Sequence, residues 1–230
     1  SPIVQTLGSL VTTAGDALSG FVNLTLGQYD NANTSDHSQI VGANDNLSGA
    51  LTLVNGHGIK LDNTNGLGNL TISGQEYEAR SASVTLTASE GTFDNQITGD
   101  IDLHFTVTEG GLVTFKGNSN DYTGVTTVDG SGTLVLGNDS VLNNTSLLSV
   151  NSGHVNFDGT SQKVANLQAI GDGALTGNVD LTVAFGDGET TEGYVNGVND
   201  QLTGSLRLTG NGILSVNNQD SLGSTSIAID

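Results

Sequence analysis

The chain has 230 residues, 24 Asp and Glu against five Lys and Arg, and a formal net charge of −19. So lopsided a balance excludes binding to the phosphate backbone of nucleic acids, which needs clustered cations, and disfavours an anionic membrane surface. Cys is absent, Pro occurs once and Gly 33 times, so stability has to come from packing without disulfides, and no apolar run approaches membrane length.

The pattern that organises the chain is a corner: an apolar or aromatic residue, then Ser or Thr, then Gly. It is met at Leu18-Ser-Gly20, Leu47-Ser-Gly49, Ile72-Ser-Gly74, Ile97-Thr-Gly99, Tyr122-Thr-Gly124, Leu175-Thr-Gly177 and Leu202-Thr-Gly204. From Leu47 to Tyr122 the steps are 25 residues each, with 29 before and 27 in the last step. The 53-residue gap between Tyr122 and Leu175 holds two units with a degenerate corner near Leu148. A longer copy recurs three times, beginning at Leu47, Tyr122 and Leu202 and carrying Asn63, Asn138 and Asn218 at one shared position. A fixed internal period is the signature of a stacked architecture.

Each corner is followed by period-two alternation: Val22/Leu24/Leu26, Leu51/Leu53, Ile101/Leu103/Phe105, Val179/Leu181/Val183 and Leu206/Leu208. Alternation sends one row of side chains inward and the next outward. A second strand follows about a dozen residues on, at Ile59/Leu61, Val84/Leu86, Leu134/Leu136 and Leu214/Val216. Leu67, Phe93, Leu142 and Leu222 mark a third, shorter one. Three short strands per turn, in about eight turns of roughly 25 residues, describe an all-β, right-handed parallel β-helix, one solenoid over residues 1–230. Gly and Asn serve its corners because they tolerate left-handed backbone angles. Such a core is narrow, so Val, Leu, Ile and Ala are expected to fill it in place of rings. No stretch shows helical spacing. A β-sandwich has no reason to return to one tripeptide every 25 residues.

Three stretches depart from the pattern and read as insertions on one face: residues 27–46, 74–83 and 186–201. Insertions on a solenoid often build its binding face. The candidate binding residues are therefore Asp30 and Asp36 in the first and Asp187, Glu189 and Glu192 in the third, the most acidic. To these we add Asp100 and Asp102, which flank the inward Ile101 and point to one side of a strand. Asp180 is the expected counterpart of Asp102 in a later turn. Carboxylates so paired suit a cation or acid chemistry, and equally an outward polar row. The four His (37, 57, 104 and 154) show no metal-ligand spacing. No metal and no cofactor is expected.

The stretch from Phe115 through Asn120-Asp-Tyr-Thr-Gly124, Thr126-Thr-Val128 and Gly132-Thr-Leu-Val-Leu-Gly-Asn138 to Leu142 resembles the passenger-associated transport repeat of bacterial type V autotransporters. Copies one and three match more loosely, and the rest of the chain is similar to such passengers in being rich in Gly, Asn, Thr and Val and free of Cys. The resemblance implies a secreted β-helical passenger at the surface of a Gram-negative bacterium, acting as an adhesin in cell aggregation or biofilm, or in host attachment. Its implied partners are a second copy of itself or a host-surface glycan or matrix protein, with no nucleic acid and no membrane insertion by this segment. The C-terminal Ile227-Ala-Ile-Asp230 stops in mid-pattern and the family's translocating β-barrel is not in the sequence, so a segment of a longer rod is expected. Some passengers are serine proteases with Gly-Asp-Ser-Gly, but Gly137-Asn-Asp-Ser-Val141 interrupts that motif and lies inside the repeat. Other β-helices degrade polysaccharides. The expectation is a protein that is not an enzyme: an adhesin, or else a stalk that carries a head elsewhere.

Overall fold

A computed structural model describes residues 4–27, 37–76, 80–186 and 191–230. Every ladder in it is parallel, and the strands stack as a β-solenoid of about ten turns. Parallel stacking follows from the sequence because each turn returns to the same face in the same direction, and the apolar alternation then lines a single interior.

The first face is the ladder Val4–Leu7, Gly20–Leu26, Leu47–Leu53, Asn69–Gly74, Ile97–Gly99 and Asp121–Tyr122. After a strandless turn near Ser140 the face resumes with Ser161–Val164, Leu175–Ala184, Leu202–Thr209 and Ser224–Ile229. The second face runs from His37–Ile40 through Gly58–Leu61, Ala82–Phe93, Ile101–Phe115, Val125–Gly130, Leu147–Val150, Leu167–Ile170 and Thr191–Asn196 to Gly212–Val216. The third is built in mid-rod by the far ends of the two long strands, with Thr133–Leu136 and His154–Asn156. Towards both ends it consists of turns, so Leu67 and Leu222 lie in turns and not in strands, and Leu142 lies in the strandless turn near Ser140; all three pack on the core.

Turn length varies more than the recurring corner suggests. Val4 pairs with Asn23, 19 residues on, and Asn23 with Ala50, 27 residues on. The corners themselves stack in register only where Ile72-Ser-Gly74 lies under Ile97-Thr-Gly99. Elsewhere they are offset: Gly20 pairs with Leu47, and Gly177 with Leu202. At some corners the glycine is demanded by the neighbouring rung and not by the corner alone. A Cβ on Gly99, at φ +78°, would lie 2.2 Å from the carbonyl oxygen of Gly74; one on Gly124 would lie 2.2 Å from that of Ile101 and 2.5 Å from the Asp102 carboxylate.

The interior departs from the expectation of a ring-free core. The five largest fully buried side chains are Tyr122, Phe93, Phe105, Phe115 and Phe157. Phe93, Phe105 and Phe115 form one cluster with ring centroids 5.3–6.0 Å apart. All three rings stand on the long strands Ala82–Phe93 and Ile101–Phe115, where Phe93 pairs with Phe115 on the next rung. The rings then interlock in edge and tilted geometries that favour aromatic packing.

Where the third face turns into the first, buried asparagines tie rungs together. Asn44 accepts from Leu18 N–H and donates to Gly66 O, both at 2.9 Å. Asn120 accepts from Ile97 N–H (2.9 Å) and donates to Val141 O (3.3 Å). Asn199 accepts from Leu175 N–H (2.9 Å) and donates to Ser221 O (2.8 Å). A planar amide with one acceptor and two donors is the side chain that can satisfy a backbone group on the rung below and another on the rung above.

Candidate functional site

Of the described candidate carboxylates, Asp102 and Glu192 stand on strands whose side-chain columns are fixed by register, and Asp100 lies between two strands. Asp30, Asp36, Asp187 and Glu189 fall outside the described residues. The second halves of the predicted insertions are strands, His37–Ile40 and Thr191–Asn196, because their own alternation buries Ser38 and Ile40, and Gly193 and Val195. Glu192 is exposed on the second of these. Asp102 stands four rungs away, roughly 19 Å at the usual strand spacing, as the column His104, Thr127, Ser149, Gln168, Tyr194 measures. The structure thus does not join Glu192 to the Asp pair.

Asp100 and Asp102 are brought together. Asp100 accepts from Ser81 Oγ at 3.0 Å, and Asp102, half-buried over Gly124, accepts from Val125 N–H at 2.8 Å. Burial pushes the Asp102 carboxyl above its ordinary value; the Val125 amide opposes this and the negative charge of Asp100 adds to it. One residue pair further along the same row, His104 Nε2–H donates to Asp129 Oδ2 at 2.7 Å, diagonally across the rung. Asp102 therefore works mainly as an acceptor for the next turn. Among the described residues, no group of three or more His, Asp or Glu could hold a metal ion.

Asp180, expected as the counterpart of Asp102, lies on the other face. Its strand is laddered between Ser161–Val164 and Leu202–Thr209, where it accepts from Ser205 Oγ at 2.8 Å and Ser161 Oγ at 3.4 Å. The offset of the Leu175 and Leu202 corners is the reason: equal distance from a corner does not mean equal position on a rung.

The first face carries the more regular array. Thr6 pairs with Thr25, Thr25 with Thr52, Thr52 with Ser73 and Ser73 with Thr98, before Asp121 ends the column. These hydroxyls repeat about every 4.8 Å along the rod. Some link directly, as Ser73 Oγ does to Thr52 Oγ1 at 3.2 Å. Beside them runs a second column of Asn23, Ala50 and Thr71. Among the described residues, the outward positions of the first five strands of this face bear no charge, in a chain of net charge −19. The signal was present in the sequence as the polar members of the alternation, but only register shows that they fall in line.

Compared with known proteins, the chain matches no family model, no curated protein and no solved structure. Its class is set by architecture alone: a parallel β-solenoid. No described helix is long and apolar enough to cross a membrane.

Proposed function

We propose that this chain is an adhesive rod, a segment of an autotransporter-type passenger displayed at the surface of a Gram-negative bacterium, which associates with a second copy or a host surface through its first face. The observation that carries the reading is the uncharged hydroxyl column from Thr6 to Thr98. Two strongly acidic rods repel, so they approach most readily by a side that carries no carboxylate. Hydroxyls both donate and accept, so one such column is complementary to another. Five rungs by about five residues cover roughly 400 Å² per copy, about half of what a stable pairwise complex buries per partner. Each contact is therefore weak, and adhesion arises from many rods acting together on facing surfaces.

A second reading, a stalk that carries a head elsewhere, is favoured by the fate of the transport-repeat residues. Tyr122, Leu134 and Leu136 are buried, Asn120 ties two rungs, and Asn138 donates to Lys116 O. Settling of cells that display the chain tests the two readings. Thr52→Asp and Thr98→Asp abolish aggregation if the first face adheres, and Thr127→Asp on the second face leaves it intact. Equal settling by all variants and by cells without the chain would leave the stalk.

A further inference from the structure

At the end of the uncharged face lies a polar furrow of about 300 Å³, at the small end of sites that hold organic ligands. Three successive rungs build it: Asn69 and Thr71, then Asp94 and Gln96, then Asn118 and Ser119, with Leu70 as an apolar part of the lining. The lining defines the ligand's chemistry. The outward amides of Asn69, Gln96 and Asn118 and the hydroxyls of Thr71 and Ser119 each donate and accept, and the Asp94 carboxylate only accepts. No cation is present in the lining, so an anionic ligand would meet Asp94 without a counter-charge. A neutral ligand with several hydroxyls meets every one of these groups with a partner.

The walls are held in place before any ligand arrives. Gln96 Nε2 donates to Ser119 O at 3.2 Å and so ties two rungs. Ser119 sits at φ +57°, a left-handed conformation uncommon outside glycine, Asn and Asp. Asn95 also lines the furrow; it is buried, with Nδ2 donating to Gly68 O (3.0 Å) and Leu70 O (2.9 Å). Its Oδ1 is buried as well, so Asn95 holds the wall and does not itself meet the ligand. In the column of Asn69, two rungs back through Ser48, stands Phe21, 71% exposed. At about 10 Å along the rod, its ring offers a flat apolar platform on the same face.

We infer that the furrow binds an uncharged saccharide, a unit of a neutral glycan whose chain extends along the face towards Phe21. The inference rests on the reading of the chain as an adhesive rod and names the class of its ligand. Rigid amides and a carboxylate bind the hydroxyls, and Phe21 takes the apolar face of an adjoining unit.

The test probes an array of neutral, sialylated and sulfated oligosaccharides with the whole chain, then titrates the strongest neutral glycan calorimetrically. Signal is expected on neutral glycans, with binding at least tenfold weaker for Asp94→Ala and Asn118→Ala and lost for Thr71→Tyr, which fills the furrow from an outward position. Melting curves run alongside separate lost binding from lost fold, and Thr71→Tyr keeps the test open if a polar variant fails to fold. A preference for sulfated glycans, no glycan bound, or variants that bind like the parent chain would each overturn the inference. Parallel settling assays distinguish the two proposals: aggregation without glycan binding removes the furrow and keeps the adhesive rod, and glycan binding without aggregation or attachment does the reverse.

Discussion

Replacing Asn120 with Ala should remove two rung-to-rung hydrogen bonds at once. Its Oδ1 satisfies the Ile97 amide at 2.9 Å and its Nδ2 satisfies the Val141 carbonyl at 3.3 Å, in a side chain only 7% exposed. Ala leaves one buried donor and one buried acceptor bare, and each bare group costs about 1–3 kcal/mol. Discounting the longer Nδ2 contact, the expected loss is about 3 kcal/mol. The reference variant is Asn144→Ala, whose exposed amide reaches the Asp121 carboxylate; it should stay within about 0.5 kcal/mol of the parent. Urea denaturation gives both numbers. Because a solenoid opens locally at its weakest neighbours, hydrogen exchange at the Ile97 amide gives a second, site-specific reading. It should accelerate in Asn120→Ala and not in Asn144→Ala. Equal midpoints for the two variants, or an Ile97 amide as protected as in the parent, would refute the assignment of Asn120 as a tie between turns.

Two other positions give predictions of definite sign. Tyr122 is fully buried, its hydroxyl is 2.7 Å from Thr126 Oγ1, and burial pushes it up to about 12. The unfolded chain releases this proton near 10, so the stability it contributes is complete below pH 10 and is lost as pH rises towards 12, roughly 2–3 kcal/mol in all. Alkaline denaturation should show that loss in the parent and not in Tyr122→Phe, which should itself cost about 1 kcal/mol at pH 7. Asp102 is raised by burial, so its charge at pH 7 opposes folding and the penalty is relieved as pH falls through the raised value. Asp102→Asn keeps the acceptor for Val125 N–H and should match or exceed the parent's stability at pH 7, with the advantage gone near pH 3. Asp102→Ala should lose about 1 kcal/mol in thermal or urea melts.

The solenoid was legible because corner and alternation recur together, which no other architecture requires. Its turn length was not, because the tripeptides mark corners and not rungs: the segments between them vary, and Gly177 meets Leu202 instead of Gly204. The buried asparagines had a signal that spacing could have exposed, since Asn44, Asn95, Asn120 and Asn199 each stand two or three residues ahead of a corner's apolar residue. The aromatic cluster had only part of one: Phe93 and Phe105 stand at marked strand positions, but the pairing of Phe93 with Phe115 that gathers the rings shows only in register. Among the candidate site residues, Asp100 and Asp102 are neighbours by simple alternation. The contact of Asp129 with His104 depends on a diagonal across the rung, since His104 itself pairs with Thr127. The furrow draws on three rungs and is visible only once register is fixed.

The adhesive reading is tested most directly by sedimentation velocity of this chain over a concentration series at low and high salt. The first five strands of the first face carry no charge and the chain carries −19, so salt should screen repulsion between rods and strengthen association. The account predicts reversible dimers that grow with concentration and with salt, and that disappear in Thr52→Asp. A strict monomer at every concentration and ionic strength, or association indifferent to Thr52→Asp, would contradict it.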